Sequence, residues 1–286
     1  MPAWSATFGP DGSYFFNSPH KWSHSGMPMN LTDLIGEKDL RDIHELTLGP
    51  NGSYVCTYSN NDGMMYIRRH NLPAKLEKWL VPVEGGSFSA ERDMGSLRVT
   101  LGPDGSFAAW DNTGAAQWEN LPATLSTYIR SIMDENNRWK PGYELKNLSL
   151  GANGSWVFIS KRGAGCHNLQ GGAPELAEFL LGLENYAGLE GVQLCPFVAN
   201  RWGVVYTNGN NWHCTPPESV MRTHWEAFGA DWMKAVNAEN AAIPPQQQKQ
   251  VVYTQQKESK LKAVLKPIAG AIIEQTVGVV VQAAFC

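Results

Sequence analysis

The chain has 286 residues, 43% hydrophobic and 17% charged, with a formal net charge of -4. Such a composition can bury a sizeable core and excludes a disordered or collagen-like chain. The slight acidic excess gives no electrostatic reason for a nucleic-acid partner, because a phosphate-binding surface shows as a basic excess.

The amino terminus, "MPAWSATFGPDGSYFF", has neither the basic start nor the apolar run of a secretory signal, and the expectation is a cytoplasmic protein. Five cysteines (Cys56, Cys166, Cys195, Cys214, Cys286) are odd in number and irregular in spacing, so they describe no disulfide framework.

The phrase "TFGPDGSYFF" (7 to 16) returns as "TLGPNGSYVCTY" (47 to 58), "TLGPDGSFAAW" (100 to 110) and "SLGANGSWVF" (149 to 158). Each copy reads as two short strands around a tight turn. Proline presets one turn angle, Asp-Gly or Asn-Gly supplies positive φ, and the outgoing strand is rich in aromatic and β-branched residues. Further along each copy a proline precedes apolar residues at helical spacing: Pro28 with Leu31 and Leu34, Pro73 with Leu76 and Trp79, Pro122 with Leu125 and Tyr128, Pro174 with Ala177 and Leu180. Proline suits the first helical position, where its missing N–H costs nothing. Each unit is therefore expected to close with one short helix.

A fifth copy lies in "FVANRWGVVYTNGNNWHC" and Pro217 with Val220. There Asn200, Arg201 and Trp202 align with Asn51, Gly52 and Ser53, and loss of the glycine implies a different turn. The five prolines recur at intervals of 43 to 52 residues, a period at which one unit cannot bury its apolar face alone and must lean on its neighbours. The fold class expected is mainly β, a five-bladed β-propeller with a short helix per repeat over residues 1–232. An open stack of β-β-β-α units is the competing arrangement.

The stretch "GPNGSYVCTYSNNDGMMYIRRHNLP", with its turn, aromatic-rich strand, second hairpin and proline, resembles the blade of tachylectin-2-type lectins. That resemblance implies five blades and binding of N-acetylated sugars between them. The Gly-Gly-Trp that precedes each hairpin in those lectins is absent here, so no sugar-binding residue carries over.

Loops joining the second and third strands of all units gather on one rim of a ring and vary most between copies. Aromatic faces beside amide and carboxylate groups suit sugar rings, and the ligand-binding candidates are Trp22, Asn60, Asp62, Asp111, Asn210 and Trp212. Asp62 and Asp111 are also the only pair considered as catalytic acid and base. His20, His24, Cys166, His167, His213 and Cys214 would approach one another if the ring closes between the fifth and first copies. Thiolate and imidazole are zinc ligands, but within a single copy only His20 and His24 have the short spacing of a familiar zinc motif. No cofactor is expected.

Past the repeats, 233–266 reads as a polar, Pro-broken linker followed by a charged helix. The segment 267–286 is an apolar tail, too polar for a membrane span, which either packs on the propeller or mediates self-association. Membrane contact is not expected. The function expected is ligand binding, lectin-like with a glycan or small molecule, or protein-binding. The alternative is a small enzyme of secondary metabolism with a pocket on the propeller axis.

Overall fold

The computed structural model describes residues 4–82, 92–135, 138–217 and 219–242. The expected tail and most of the expected linker and helix, from residue 243 on, lie outside them. The chain runs as five successive β-β-β-α units. The first holds β1 (Ser5–Phe8), β2 (Tyr14–Ser18), β3 (Lys21–Ser25) and α1 (Met29–Ile35). The second holds β4 (Leu40–Leu48), β5 (Tyr54–Asn60), β6 (Met65–His70) and α2 (Ala74–Leu80). The third holds β7 (Arg98–Leu101), β8 (Phe107–Trp110), β9 (Ala116–Glu119) and α3 (Ala123–Ile132). The fourth holds β10 (Leu145–Leu150), β11 (Trp156–Ser160), β12 (Gly165–Asn168) and α4 (Pro174–Leu181). The fifth holds β13 (Leu189–Leu194), β14 (Trp202–Tyr206), β15 (Asn211–Cys214) and α5 (Val220–Ala242).

Within each unit the strands form one antiparallel sheet in sequence order. The first strands touch one another in the cycle β1, β4, β7, β10, β13 and back to β1. That closed cycle is a five-bladed propeller with the first strand of every blade innermost, and an open stack would lack the contact between β13 and β1.

The repeated turn explains itself physically. Asp11, Asn51, Asp104 and Asn153 take φ of 53–58°, and the glycine after each takes 69–77°, two consecutive left-handed residues for which Asn/Asp-Gly is best suited. The glycine that opens the turn has a different task. A Cβ on Gly49 would collide with Ser53 Oγ in its own turn and lie 2.9 Å from Leu101 Cδ1 in the next blade. Its absence lets adjoining inner strands approach.

The fifth turn corrects the sequence alignment by one position. Trp202 pairs with Leu194 as Tyr54 pairs with Leu48, and the N–H of Cys195 donates to the Arg201 carbonyl as that of Gly49 does to Ser53. Arg201, not Trp202, therefore stands where Ser53 does, and the turn is longer by two residues. Helix starts need a smaller correction: Pro28, Pro73 and Pro122 cap α1, α2 and α3 from just outside, and only Pro174 is a first helical residue.

Five apolar clusters fill the wedges between blades, each with one helix. Leu31 and Leu34 of α1 pack with Phe15 of the first blade and Leu46 and Leu48 of the second. Leu76 and Leu80 of α2 meet Val55 and Val99, α3 joins Trp110 to Trp156, and α4 joins Val157 to Trp202. The last wedge holds α5, whose Trp225, Phe228 and Trp232 pack with Phe8 and Phe16 of the first blade and Val205 of the fifth. This helix is not short. It runs on through residues 233–242, where a linker was expected, and Ala235 and Val236 are buried. Among the described residues no helix is long and apolar enough to cross a membrane.

Candidate functional site

Because inner strands are sheet edges, one row of their backbone N–H groups has no partner within its own blade, and such groups must be satisfied elsewhere. Polar side chains two and four residues before the turn reach across to the next blade and do so. Thr7 Oγ1 accepts from Leu48 N at 3.3 Å, Glu45 Oε1 from Val99 N at 3.2 Å, Asn147 Oδ1 from Val192 N at 3.0 Å and Ser149 Oγ from Leu194 N at 2.7 Å. The polar row is thus partly a latch between blades.

Four positions in and beside that row depart from the latch. Ser5 matches Glu45 and Asn147 in register, yet its hydroxyl is buried and makes no hydrogen bond. Arg98, the matching residue of the third blade, turns Nη1 to the carbonyls of His44 and Leu97 at 3.2 and 2.8 Å. Lys146 and Glu190 occupy β-bulges in β10 and β13, irregularities that re-aim side chains, and they pair at 2.8 Å.

All four line one cavity of about 340 Å³ bordered by every inner strand, so the cavity lies on the propeller axis. Trp4, Trp110, Asn147 and Gln193 complete its walls. Gly191 contributes by having no side chain, since a Cβ there would collide with the Trp4 ring.

Glu45 is the electrostatic centre of this site. Burial drives its carboxyl up to about 7, against the Arg98 charge and the Val99 N–H, which pull it down. Arg98 Nε stands 3.7 Å from Glu45 Oε2, beyond hydrogen-bond length but close enough for its charge to offset part of the desolvation. Lys146 is better satisfied, with Glu190 and the Leu189 carbonyl at 2.9 Å as partners.

The rim residues singled out by the sequence lie elsewhere. Asn60 and Asp111 are buried and build their own turns. Asn60 Oδ1 accepts from Met64 N at 2.9 Å, while Asp111 accepts from Thr113 N at 2.9 Å, from the Thr113 hydroxyl and from Asp93 N at 3.2 Å. Asp62 is exposed at the tip between β5 and β6, and Asn210 is exposed before β15. Trp22 packs on the cluster around Leu31 and Leu34. Trp212 meets Trp202 and Phe179 edge-on with ring centroids 4.5 and 5.4 Å apart.

The histidines and cysteines considered as metal ligands are dispersed among other partners. His20 Nδ1 lies 3.2 Å from Asp231, His167 Nδ1 2.6 Å from the Tyr186 hydroxyl, and His213 Nδ1 3.0 Å from Thr215 Oγ1. Burial, with His224 nearby, lowers the His24 pKa. Cys166 belongs to the wedge between the third and fourth blades, and Cys214 packs on the wedge between the fourth and fifth. Among the described residues no three His, Cys, Asp or Glu side chains converge on a metal position.

Grooves between blades are unequal. That between the second and third blades encloses about 240 Å³, and the matching one between the fourth and fifth about 10 Å³. Neither is lined by an aromatic side chain.

The axial residues lie on the inner strands, outside the variable loops from which the sequence candidates come. A signal exists in the sequence: the position four residues before the turn reads Ser5, Glu45, Arg98, Asn147 and Gly191, different in every copy, while an apolar residue follows it each time.

No protein-family model matches this chain, and no curated protein does. Among solved structures, YCF48 bound to D1 peptide is 12% identical with a TM-score of 0.23, over 77% of this chain and 70% of that one. A streptogramin B lyase is 14% identical with a TM-score of 0.21, over 74% and 67%. Likeness this slight carries no implication for ligand or activity.

Proposed function

We propose that this propeller binds a small polar molecule in the cavity on its axis. The cavity itself carries the reading: every inner strand borders it, and Ser5, Glu45, Arg98, Lys146 and Glu190 bring polar residues from five different blades to its wall. The size of the cavity suits a small ligand. Glycan binding between the blades has weaker support, because the grooves there are unequal and lack aromatic walls.

Catalysis is a second reading, favoured by the Glu45 carboxyl. A group titrating near neutrality beside a cation can both give and take a proton.

Thermal-shift screening of a metabolite library tests the first reading, with a glycan array run in parallel. Hits should be lost in Arg98→Ala, which removes a charged wall of the cavity, and weakened in Ser5→Leu, which adds bulk at its border, while each unliganded variant still melts cooperatively. A glycan bound equally well by Ser5→Leu would move the site away from the axis. If the protein is an enzyme, turnover of a hit should fall at least about 100-fold in Glu45→Gln.

A further inference from the structure

Resting on the axial ligand site proposed above, we infer that its occupant is a small aromatic carboxylate, the carboxylate meeting Arg98 and the ring meeting the apolar wall of Trp4 and Trp110.

The assignment of charge follows from which cation is already satisfied. Lys146 has a carboxylate at 2.8 Å and a carbonyl at 2.9 Å. Arg98 spends only Nη1 on carbonyl oxygens, and its Nε is 3.7 Å from the nearest carboxylate. Nε and Nη2 thus face no acceptor at hydrogen-bond distance among the described residues. A guanidinium edge is a planar pair of donors that matches a carboxylate.

Protonation of Glu45 accentuates this. Facing Glu45 are Arg98 and the Val99 N–H from β7 and the Cys56 thiol from β5, with His44 and Asp42 on its own strand. Lys146 and Glu190 cancel across the same cavity. With Glu45 neutral, the cavity carries one uncompensated positive charge, that of Arg98. An incoming carboxylate neutralises it, and holding Glu45 protonated in the complex avoids two anions side by side.

Shape comes from the walls. Trp4 and Trp110 give the cavity apolar aromatic lining.

The probes are para-hydroxybenzoate, its neutral isostere para-hydroxybenzamide, its cationic analogue para-hydroxybenzamidine, and benzoate, each titrated calorimetrically into the full chain. The acid should bind about 10- to 100-fold more tightly than the amide, the range that a hydrogen bond to a charged group supplies. Its binding should be tighter at about pH 6 than at about pH 8, with proton uptake seen as a dependence of heat on buffer ionisation enthalpy. Arg98→Gln should abolish the preference for acid over amide and Arg98→Lys should keep it, so the test survives if the glutamine variant fails to fold. Benzoate should lose its binding in Arg98→Gln as para-hydroxybenzoate does.

An amide or amidine that binds as tightly as the acid overturns the inference while leaving the axis a ligand site. A preference for acid that persists in Arg98→Gln overturns it too. Failure of all four probes to bind also overturns it, and the metabolite screen then judges the axial site on its own.

Discussion

At the scale of single residues, the carboxyl of Glu45 links stability to pH. Its native value is raised from 4.5 to about 7, so the folded protein binds more protons than the unfolded chain between those limits. Stability is therefore greatest below the unfolded value, and falls as pH rises from about 4.5 through about 7. At about 1.4 kcal/mol per pKa unit the loss from this group is on the order of 3 kcal/mol. Glu45→Gln keeps an oxygen for the Val99 N–H and removes the ionisation. Its melting temperature should change less than that of the parent between about pH 5 and about pH 8, as read by circular dichroism. Equal slopes would mean that Glu45 ionises freely in the fold.

At the scale of elements, the two glycines of each turn do different work and should fail differently. Gly52 has φ of +71° and open space around the position of a Cβ, whereas Gly49 has extended backbone and no space. Gly52→Ala should cost about 1–2 kcal/mol through backbone strain alone. Gly49→Ala should cost about 1–3 kcal/mol by forcing Ser53 and Leu101 apart. Combining Gly49→Ala with Leu101→Val should recover part of the second loss and none of the first, as denaturant unfolding of the double variants would report. The turn itself was legible, since Asn-Gly and Asp-Gly demand positive φ wherever they stand. Its first glycine was not, because what it avoids is a side chain some fifty residues away in another blade.

At the scale of the whole molecule, closure rests on the wedge between the fifth and first blades, where α5 replaces a short helix with a long aromatic one. Trp225 is fully buried and stacks on Phe8 with ring centroids 6.1 Å apart. It lies over Gly203, whose Cβ, if present, would collide with the indole ring. Trp225→Ala should cost about 3–5 kcal/mol, and in a closed ring that loss should lower the melting of every blade together. Deleting residues 190 to 230 should abolish cooperative unfolding altogether, because two blades then lose a neighbour at once. A truncated protein that still melts in one sharp step in calorimetry would show that the blades stand without closure.

The sequence by itself determined the unit and its number. The turn chemistry, the alternation in "SATF", "ELTL" and "RVTL" and the proline-led helices are local, and local rules are enough to read them. Local reading also found the fifth copy, though one residue out of register, since a longer turn without glycine leaves no sign of where its extra residues sit. Only the tertiary structure decided that the ring closes, that α5 rather than a short helix closes it, and that the polar residues before each turn meet on one axis. Ser5, Glu45, Arg98, Lys146 and Glu190 come from five different blades, between about 40 and 185 residues apart in the chain. What brings them to one cavity is the closure of the ring and, for Lys146 and Glu190, two bulges. Such properties belong to the packing of strands against strands, and no single copy of the repeat contains them.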